Sequence, residues 1–181
     1  LPLKKLFGGK FSVLNKFKFF LIFCLSEGSL FGISKIEQSA LKGNLESQLL
    51  LGNLYAQGGS YGERQQSLFW FRKAAKQDNE HACLVVGRSY LQGYGTKKDL
   101  EKASQWISRA AALGNQESFY YLGLIYEEKK KNLIAHAAYQ IALETNLSEK
   151  ARFCLQRTAS KVGSLDQDLI QLEIDKLKEN I

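Results

Sequence analysis

At 181 residues the chain has room for one domain of ordinary size and a short extra segment, and its 45% hydrophobic content excludes a disordered polymer. The formal charge of +7 invites a nucleic-acid reading, but the first 27 residues hold five lysines against one acid, and the remainder nets only +3 with its signs mixed. Even Lys129-Lys130-Lys131 is offset by Glu127 and Glu128, so there is no basic stripe with interleaved aromatics and nucleic-acid binding is set aside.

Residues 1–33 read as a leader, separate from the body at 34–181. A chain beginning with Leu1 is not a normal translation start, so the first residues read as a fragment or a mis-set boundary. Lys16 and Lys18 precede the apolar run Phe19-Phe20-Leu21-Ile22-Phe23-Cys24-Leu25, and small and polar residues follow from Ser26 to Gly32. Basic, then apolar, then small is the order of a secretory signal peptide, which points to export to a periplasm or beyond, with a cytoplasmic location as the alternative. The run is shorter than the roughly 20 residues that cross a bilayer, so membrane contact is expected only through this segment, if it is uncleaved. Phe23 directly before Cys24 fits a lipoprotein site poorly.

Past Pro2 no proline occurs, so nothing sterically forbids helix along the rest of the chain. Helices are expected at about 44–57, 64–76, 79–92, 99–112, 115–129, 132–145, 147–162 and 164–179. They are organised by an internal repeat: Leu51-Gly52-Asn53-Leu54-Tyr55 aligns with Val86-Gly87-Arg88-Ser89-Tyr90 and with Leu122-Gly123-Leu124-Ile125-Tyr126, the tyrosines standing 35 and 36 residues apart. Trp70 to Ala75 aligns with Trp106 to Ala111 at the same period, and the junctions Gly43-Asn44, Asp78-Asn79 and Gly114-Asn115 keep the same phase. Glycine can end a helix in the left-handed region, and asparagine can cap the next one through its side-chain oxygen. A glycine inside a helix costs about 1 kcal/mol relative to alanine. Its recurrence as Gly52, Gly87 and Gly123 therefore implies close approach of a neighbouring helix, with the Ala-Ala pairs as the matching thin surface. The last hairpin is degenerate: Thr158-Ala159 and Val162 stand where Leu-Gly and Tyr are expected. Ser164 to Gln167 reads as a capping box, and Leu165, Leu169 and Leu172 are expected to face inward on a terminal cap.

The pattern Gly87, Tyr90, Gly93-Tyr94-Gly95, Asp99, Ala103, Trp106, Ala110-Ala111 and Gly114 resembles the Sel1-like repeat, a relative of the tetratricopeptide repeat, over about residues 37–145. The resemblance implies an all-α fold, a right-handed α-solenoid of about four helix-turn-helix hairpins. It also implies adaptor or scaffold roles in protein assembly, often in bacterial envelope or host-interaction settings. The third copy departs from the pattern, since Glu127-Glu128-Lys129-Lys130-Lys131-Asn132 replaces the Gly-x-Gly loop and Tyr139 stands near the expected tryptophan.

Chemistry-bearing motifs are sparse, and no cofactor is expected. Cys83 and Cys154 share a phase two repeats apart, too far for a disulfide, and read as small core residues. His81-Ala82-Cys83 lacks the i, i+4 spacing of helical metal ligands, so no metal site is expected. Gly93-Tyr94-Gly95-Thr96-Lys97 lacks the preceding strand and residue order of a phosphate loop and reads as an inter-helix turn. Ser39-Ala40-Leu41-Lys42 matches the Ser-x-x-Lys of penicillin-interacting enzymes, without a Lys-Thr-Gly or Ser-Asp-Asn to accompany it.

The expected function is non-catalytic binding of a protein or peptide. At 100° per residue, the face of each first helix opposite its Gly and Tyr carries Leu49 and Asn53, then His81, Leu84 and Arg88, then Glu117, Tyr120 and Leu124. First helices usually line the concave side of a solenoid, so these eight residues form the candidate groove. Leu50, Val85 and Tyr121 share that face, and some of them are expected to pack against neighbouring repeats. The alternatives are an envelope enzyme acting through Ser39 on penicillin-like or cell-wall substrates, or a secreted adaptor acting in a host cell.

Overall fold

The structure, a computed structural model, describes residues 28–143, 145, 147–162 and 167–179, with the backbone alone for 28–34. The described residues form nine α-helices and no strand: α1 (Gly28–Leu41), α2 (Leu45–Ala56), α3 (Tyr61–Ala75), α4 (Glu80–Gln92), α5 (Leu100–Ala112), α6 (Ser118–Glu128), α7 (Asn132–Ala142), α8 (Ser148–Val162) and α9 (Gln167–Glu179). They fall into two compact units that part between Gln77 and Asp78, α1–α3 in the first and α4–α9 in the second. The apolar run read as a signal peptide, Cys24, and Ser164 and Leu165 of the expected capping box lie outside the described residues.

One helix was not expected. The first turns of α1 fall within the segment read as leader, and its second half has a clear reason to form. Ile36 and Ala40, four positions apart on one face, pack with Leu51, Tyr55 and Trp70 of α2 and α3. Buried Gln48 donates to the Ala40 carbonyl at 2.9 Å, while Gln77 donates to Gly43 O at 2.9 Å and to Gln48 Oε1 at 2.8 Å, tying the end of α1 to its neighbours.

The junctions follow the repeat. Gly43, Asp78 and Gly114 all take left-handed φ, at +100°, +58° and +97°. Asp78 holds a conformation that a short polar side chain tolerates, and Arg109 binds its Oδ1 through Nε at 3.0 Å and Nη2 at 2.6 Å. Asn44 accepts from Ser47 N–H at 2.8 Å and Asn79 from Ala82 N–H at 2.9 Å, as N-caps do. Asn115 differs: it accepts from the Ser118 hydroxyl at 3.2 Å, and α6 begins three residues later, after a turn with Asn115 O, Gln116 O and Glu117 O each bonded three residues ahead. A full capping box, Ser60 with Glu63, starts α3.

The helical glycines are seats for large side chains, not partners of the Ala-Ala pairs. An added Cβ would meet the Phe71 ring at 2.9 Å from Gly52, Ile107 Cγ1 from Gly87, and the Tyr139 ring at 2.5 Å from Gly123. Phe71, Ile107 and Tyr139 are all fully buried knobs from α3, α5 and α7. Four residues before each stands a small one, Ser67, Ala103 or Ala135, all buried. At Gly87 backbone also comes close, with Ile107 N and Ala103 O at 3.1 and 3.2 Å from the added carbon. The alanines are buried too, but the knob beside them fills the glycine notch.

The end of the chain also departs from expectation. Thr158, not Ala159, takes the glycine place: it is fully buried, donates to Cys154 O and Leu155 O at 3.0 Å, and meets His136 Nδ1 at 2.9 Å, while Ala159 is exposed. On α9, Leu169 and Leu172 are exposed rather than inward. The buried stripe is Ile170, Ile174 and Leu177, a better i, i+4, i+7 series, and α9 packs on α7.

Candidate functional site

In the second unit, α4, α6 and α8 carry a continuous run of cationic and aromatic groups. The Arg88 guanidinium lies 5.0 Å over the Tyr121 ring, and Tyr121 meets Tyr120 edge to face at 5.2 Å. Tyr120 packs in turn 6.0 Å from Tyr139. Beyond Tyr120 opens a groove of about 400 Å³ between α6 and α8, lined by Tyr120, Leu124, Glu149, Lys150, Phe153, Cys154 and Arg157. Arg157 stands 5.9 Å over the Phe153 ring, and Phe153 is 65% exposed, a large apolar ring left in water.

Register explains why the groove is here. Counting from Cys83 and Cys154, Phe153 occupies the place of Ala82 in α4 and of Ser118 in α6, both fully buried. Arg157 occupies the place of Val86 and Leu122. Where earlier hairpins put small or aliphatic packing residues, the last one puts a phenyl ring and a guanidinium, which cannot sink into the same space.

The back of the groove is electrostatically fixed. Glu127, with an 11% exposed side chain, accepts from Arg157 Nη2 at 2.7 Å, Lys161 Nζ at 2.7 Å and Tyr139 Oη at 3.0 Å. Burial pushes the Glu127 carboxyl up, but the hydrogen bonds from Arg157, Lys161 and Tyr139 outweigh it and hold the group below the usual carboxylate range. Burial, with Cys154 and Glu127 adding to it, pushes the Tyr139 phenol far above its ordinary value. Tyr121 is raised chiefly by burial, with Arg88 opposing and Glu117 adding. His136, on the far side of Thr158, is lowered by burial.

The expected site residues divide. Leu49, half-buried, and Asn53, exposed, lie on α2 in the first unit. Of the six in the second, Arg88, Glu117, Tyr120 and Leu124 gather around Tyr121 and the groove, and exposed His81 lies about two turns before Arg88 on α4. Leu84 does not belong to the face: it is 3% exposed and part of the core, because α4 packs on both α5 and α6 and, past its first residue Glu80, leaves the stripe His81, Val85, Arg88 and Gln92 open to varying degrees. Leu50, a candidate for packing, is 52% exposed, whereas Tyr121 does pack.

The sequence reading missed the α8 wall. Its signal was present as Glu149, Lys150, Phe153, Cys154 and Arg157, spaced three and four apart with one aromatic among charges, but α8 lacks the Leu-Gly-x-x-Tyr signature that marks the earlier first helices. Cys83 and Cys154 are both buried and are not joined to each other. Ser39 sits half-buried in the last turn of α1 with Lys42 exposed beyond it. Among the described residues no group of three or more His, Cys, Asp and Glu is placed to hold a metal, and no helix is long and apolar enough to cross a membrane.

The Sel1 repeat family model matches residues 45–79 and 80–115, the stretch that carries the first two copies of the repeat. This chain contains Sel1 repeats. Among curated proteins, it is 37% identical over 65 residues to the ERAD-associated E3 ubiquitin-protein ligase component HRD3A of Arabidopsis thaliana, covering 36% of this chain and 9% of that protein. It is 34% identical over 96 residues to chitin synthase regulatory factor 3 of Schizosaccharomyces pombe, covering 51% of this chain and 10% of that one. The chain thus matches about a tenth of the length of these relatives. Among solved structures, a protective antigen of uropathogenic Escherichia coli with an SLR fold superposes with a TM-score of 0.70 at 28% identity, over 82% of this chain and 32% of the other. A Sel1 repeat protein from Oxalobacter formigenes gives 0.63 at 24% identity, over 83% and 62%, a likeness of fold alone. With its helical hairpins, the likeness puts the chain in the α-solenoid class built from Sel1-type repeats.

Proposed function

We propose that this chain is a non-catalytic protein-interaction module, an adaptor that binds a segment of a partner protein along the face built by α4, α6 and α8. The observation that carries the proposal is the groove between Tyr120, Leu124 and the exposed Phe153, with arginines at both ends of the aromatic run. Tyrosine and arginine recur where interfaces concentrate their energy, and an exposed ring beside a groove is the feature a partner side chain would cover. The relatives' names support the same reading, since one is a component of a ligase and the other a regulatory factor.

The experiment is capture of partners by the immobilised chain, compared with a Phe153→Asp, Arg88→Gln double variant. Neither change opens a core cavity, so the variant is expected to melt within a few degrees of the parent while losing captured proteins. Identical captured sets from both would reject this face as the binding surface. Tyr120→Ala is a poorer probe, because Tyr120 packs against the buried cluster of Ala135, Tyr139 and Cys154 and its loss would also cost stability.

A further inference from the structure

Building on the proposed binding role, we infer that the α4–α6–α8 face takes an extended peptide that pairs an acidic side chain with a large apolar one two or three positions away. The acid is called for by Arg88. Among the described residues its Nε is buried without a hydrogen-bond partner, and the guanidinium lies over the face of the Tyr121 ring. A ring face stabilises a cation but accepts no hydrogen bond in the plane of the guanidinium, so one charged donor is left without its natural acceptor. Such an acceptor would be supplied by a carboxylate, whose planar pair of oxygens fits the guanidinium fork.

The apolar half of the ligand is called for by the groove. Tyr120, Leu124 and Phe153 offer an apolar-walled space of about 400 Å³, room for one large side chain. Glu149 and Lys150 lie on the same lining and are opposite in sign, so they cancel, and Arg157 is already paired with Glu127. Of the cations around this face, Arg88 is the one whose buried donor lacks a partner.

The spacing follows from the aromatic run. Steps of 5.0 Å from Arg88 to Tyr121 and 5.2 Å from Tyr121 to Tyr120 put the guanidinium within about 10 Å of the ring that borders the groove. A β-extended chain returns a side chain to the same face every second residue, at roughly 7 Å, and a polyproline-II chain every third, at roughly 9 Å. An acid and an apolar residue at that spacing reach both features together.

A random-peptide phage library selected on the full chain, with counter-selection on the Phe153→Asp variant, tests the inference. The expected consensus holds Asp or Glu two or three residues from Phe, Leu or Ile. A fluorescein-labelled peptide of that consensus should bind at least about tenfold more tightly than its Asn or Gln counterpart, as befits loss of a charge-assisted hydrogen bond. Arg88→Gln should erase that difference, and Arg88→Lys, which keeps the charge without the Nε donor, should restore it only in part. Groove-dependent peptides with no acid in their consensus, or an acid preference that survives in Arg88→Gln, would overturn the inference and leave the binding face standing. If no selected peptide depends on Phe153, the binding face fails as well. If sedimentation shows Phe153-dependent self-association, the occupant is a second copy of the chain, and the inference is again overturned.

Discussion

Replacing Gly87 with alanine tests the packing argument that underlies the repeat, because two opposed effects can be weighed in advance. Relief of the helix penalty favours alanine by about 1 kcal/mol. Against it, the new methyl lands on Ile107 Cγ1, close to the main chain and flanked by Ile107 N at 3.1 Å and Ala103 O at 3.2 Å, so a turn of the outer Ile107 side chain cannot clear it. Overpacking of this kind costs about 1–3 kcal/mol, and backbone contact argues for the upper part of that range. The net expectation is a loss of about 1–2 kcal/mol, which in a chain of this size lowers Tm by roughly 2–8 °C. Thermal melts followed by far-UV circular dichroism read it directly. Ile107→Ala alone should cost about 2–5 kcal/mol, but in the Gly87→Ala, Ile107→Ala pair the new methyl has space, so the double variant should be more stable than the sum of the single losses predicts. A Gly87→Ala protein that melts higher than the parent, or single effects that simply add, would refute the notch.

Three further outcomes follow from other contacts. Glu127→Gln keeps the shape of the side chain but removes the charge shared by Arg157, Lys161 and Tyr139, and should cost about 1–3 kcal/mol in urea denaturation. His136 is held below its ordinary value of 6.5, so the folded state resists a proton that the unfolded chain accepts. Its contribution is complete above pH 6.5 and is lost as pH falls from there toward the folded value, and His136→Gln should flatten Tm across that window. Glu127 acts in the same direction but only below its ordinary 4.5, so the two are separable by pH. Asn79→Ala should cost about 1 kcal/mol in a thermal melt by removing a backbone cap, while Asn115→Ala should cost less, because Asn115 accepts only from a hydroxyl.

Much of the fold was legible because it is written in backbone chemistry that a sequence shows directly. Left-handed residues between hairpins favour glycine or a short polar residue, and Gly43, Asp78 and Gly114 stand at those three junctions, while Lys130 takes the same region inside the third hairpin. Caps demand a side-chain oxygen three residues before a free N–H, and Asn44 and Asn79 provide it. What the period could not show was which side chain enters each notch, since Phe71, Ile107 and Tyr139 share size but no common identity, and Tyr139 reaches Gly123 across a connection shorter than the one before Ile107. Helix α1 escaped notice because it precedes the first copy and carries no repeat signature. Its stability comes from contacts with Leu51 and Trp70 that only the folded chain brings together.

The site was half legible for a related reason. The rotation of α6 put Tyr120 and Leu124 on an open face, and they border the groove. The same rotation applied to α4 put Leu84 there, and failed, because α6 packs on α4 and Leu84 is part of the core, whereas the space beside its counterpart Tyr120 stays open as the groove toward α8. The groove opens where the repeat breaks down, at the Phe153 and Arg157 positions that earlier copies fill with Ala82 or Ser118 and with Val86 or Leu122. A regular hairpin at this point would close on α6 as tightly as its predecessors. Glu127 makes the irregular one stable: it gathers Arg157 and Lys161 of α8 and Tyr139 of α7, so that the guanidinium displaced from the packing layer still finds a charge partner. Degeneracy in the last hairpin is therefore matched by a compensating carboxylate in the one before it. That pairing is the physical reason the departure from the repeat leaves an ordered groove rather than a frayed end.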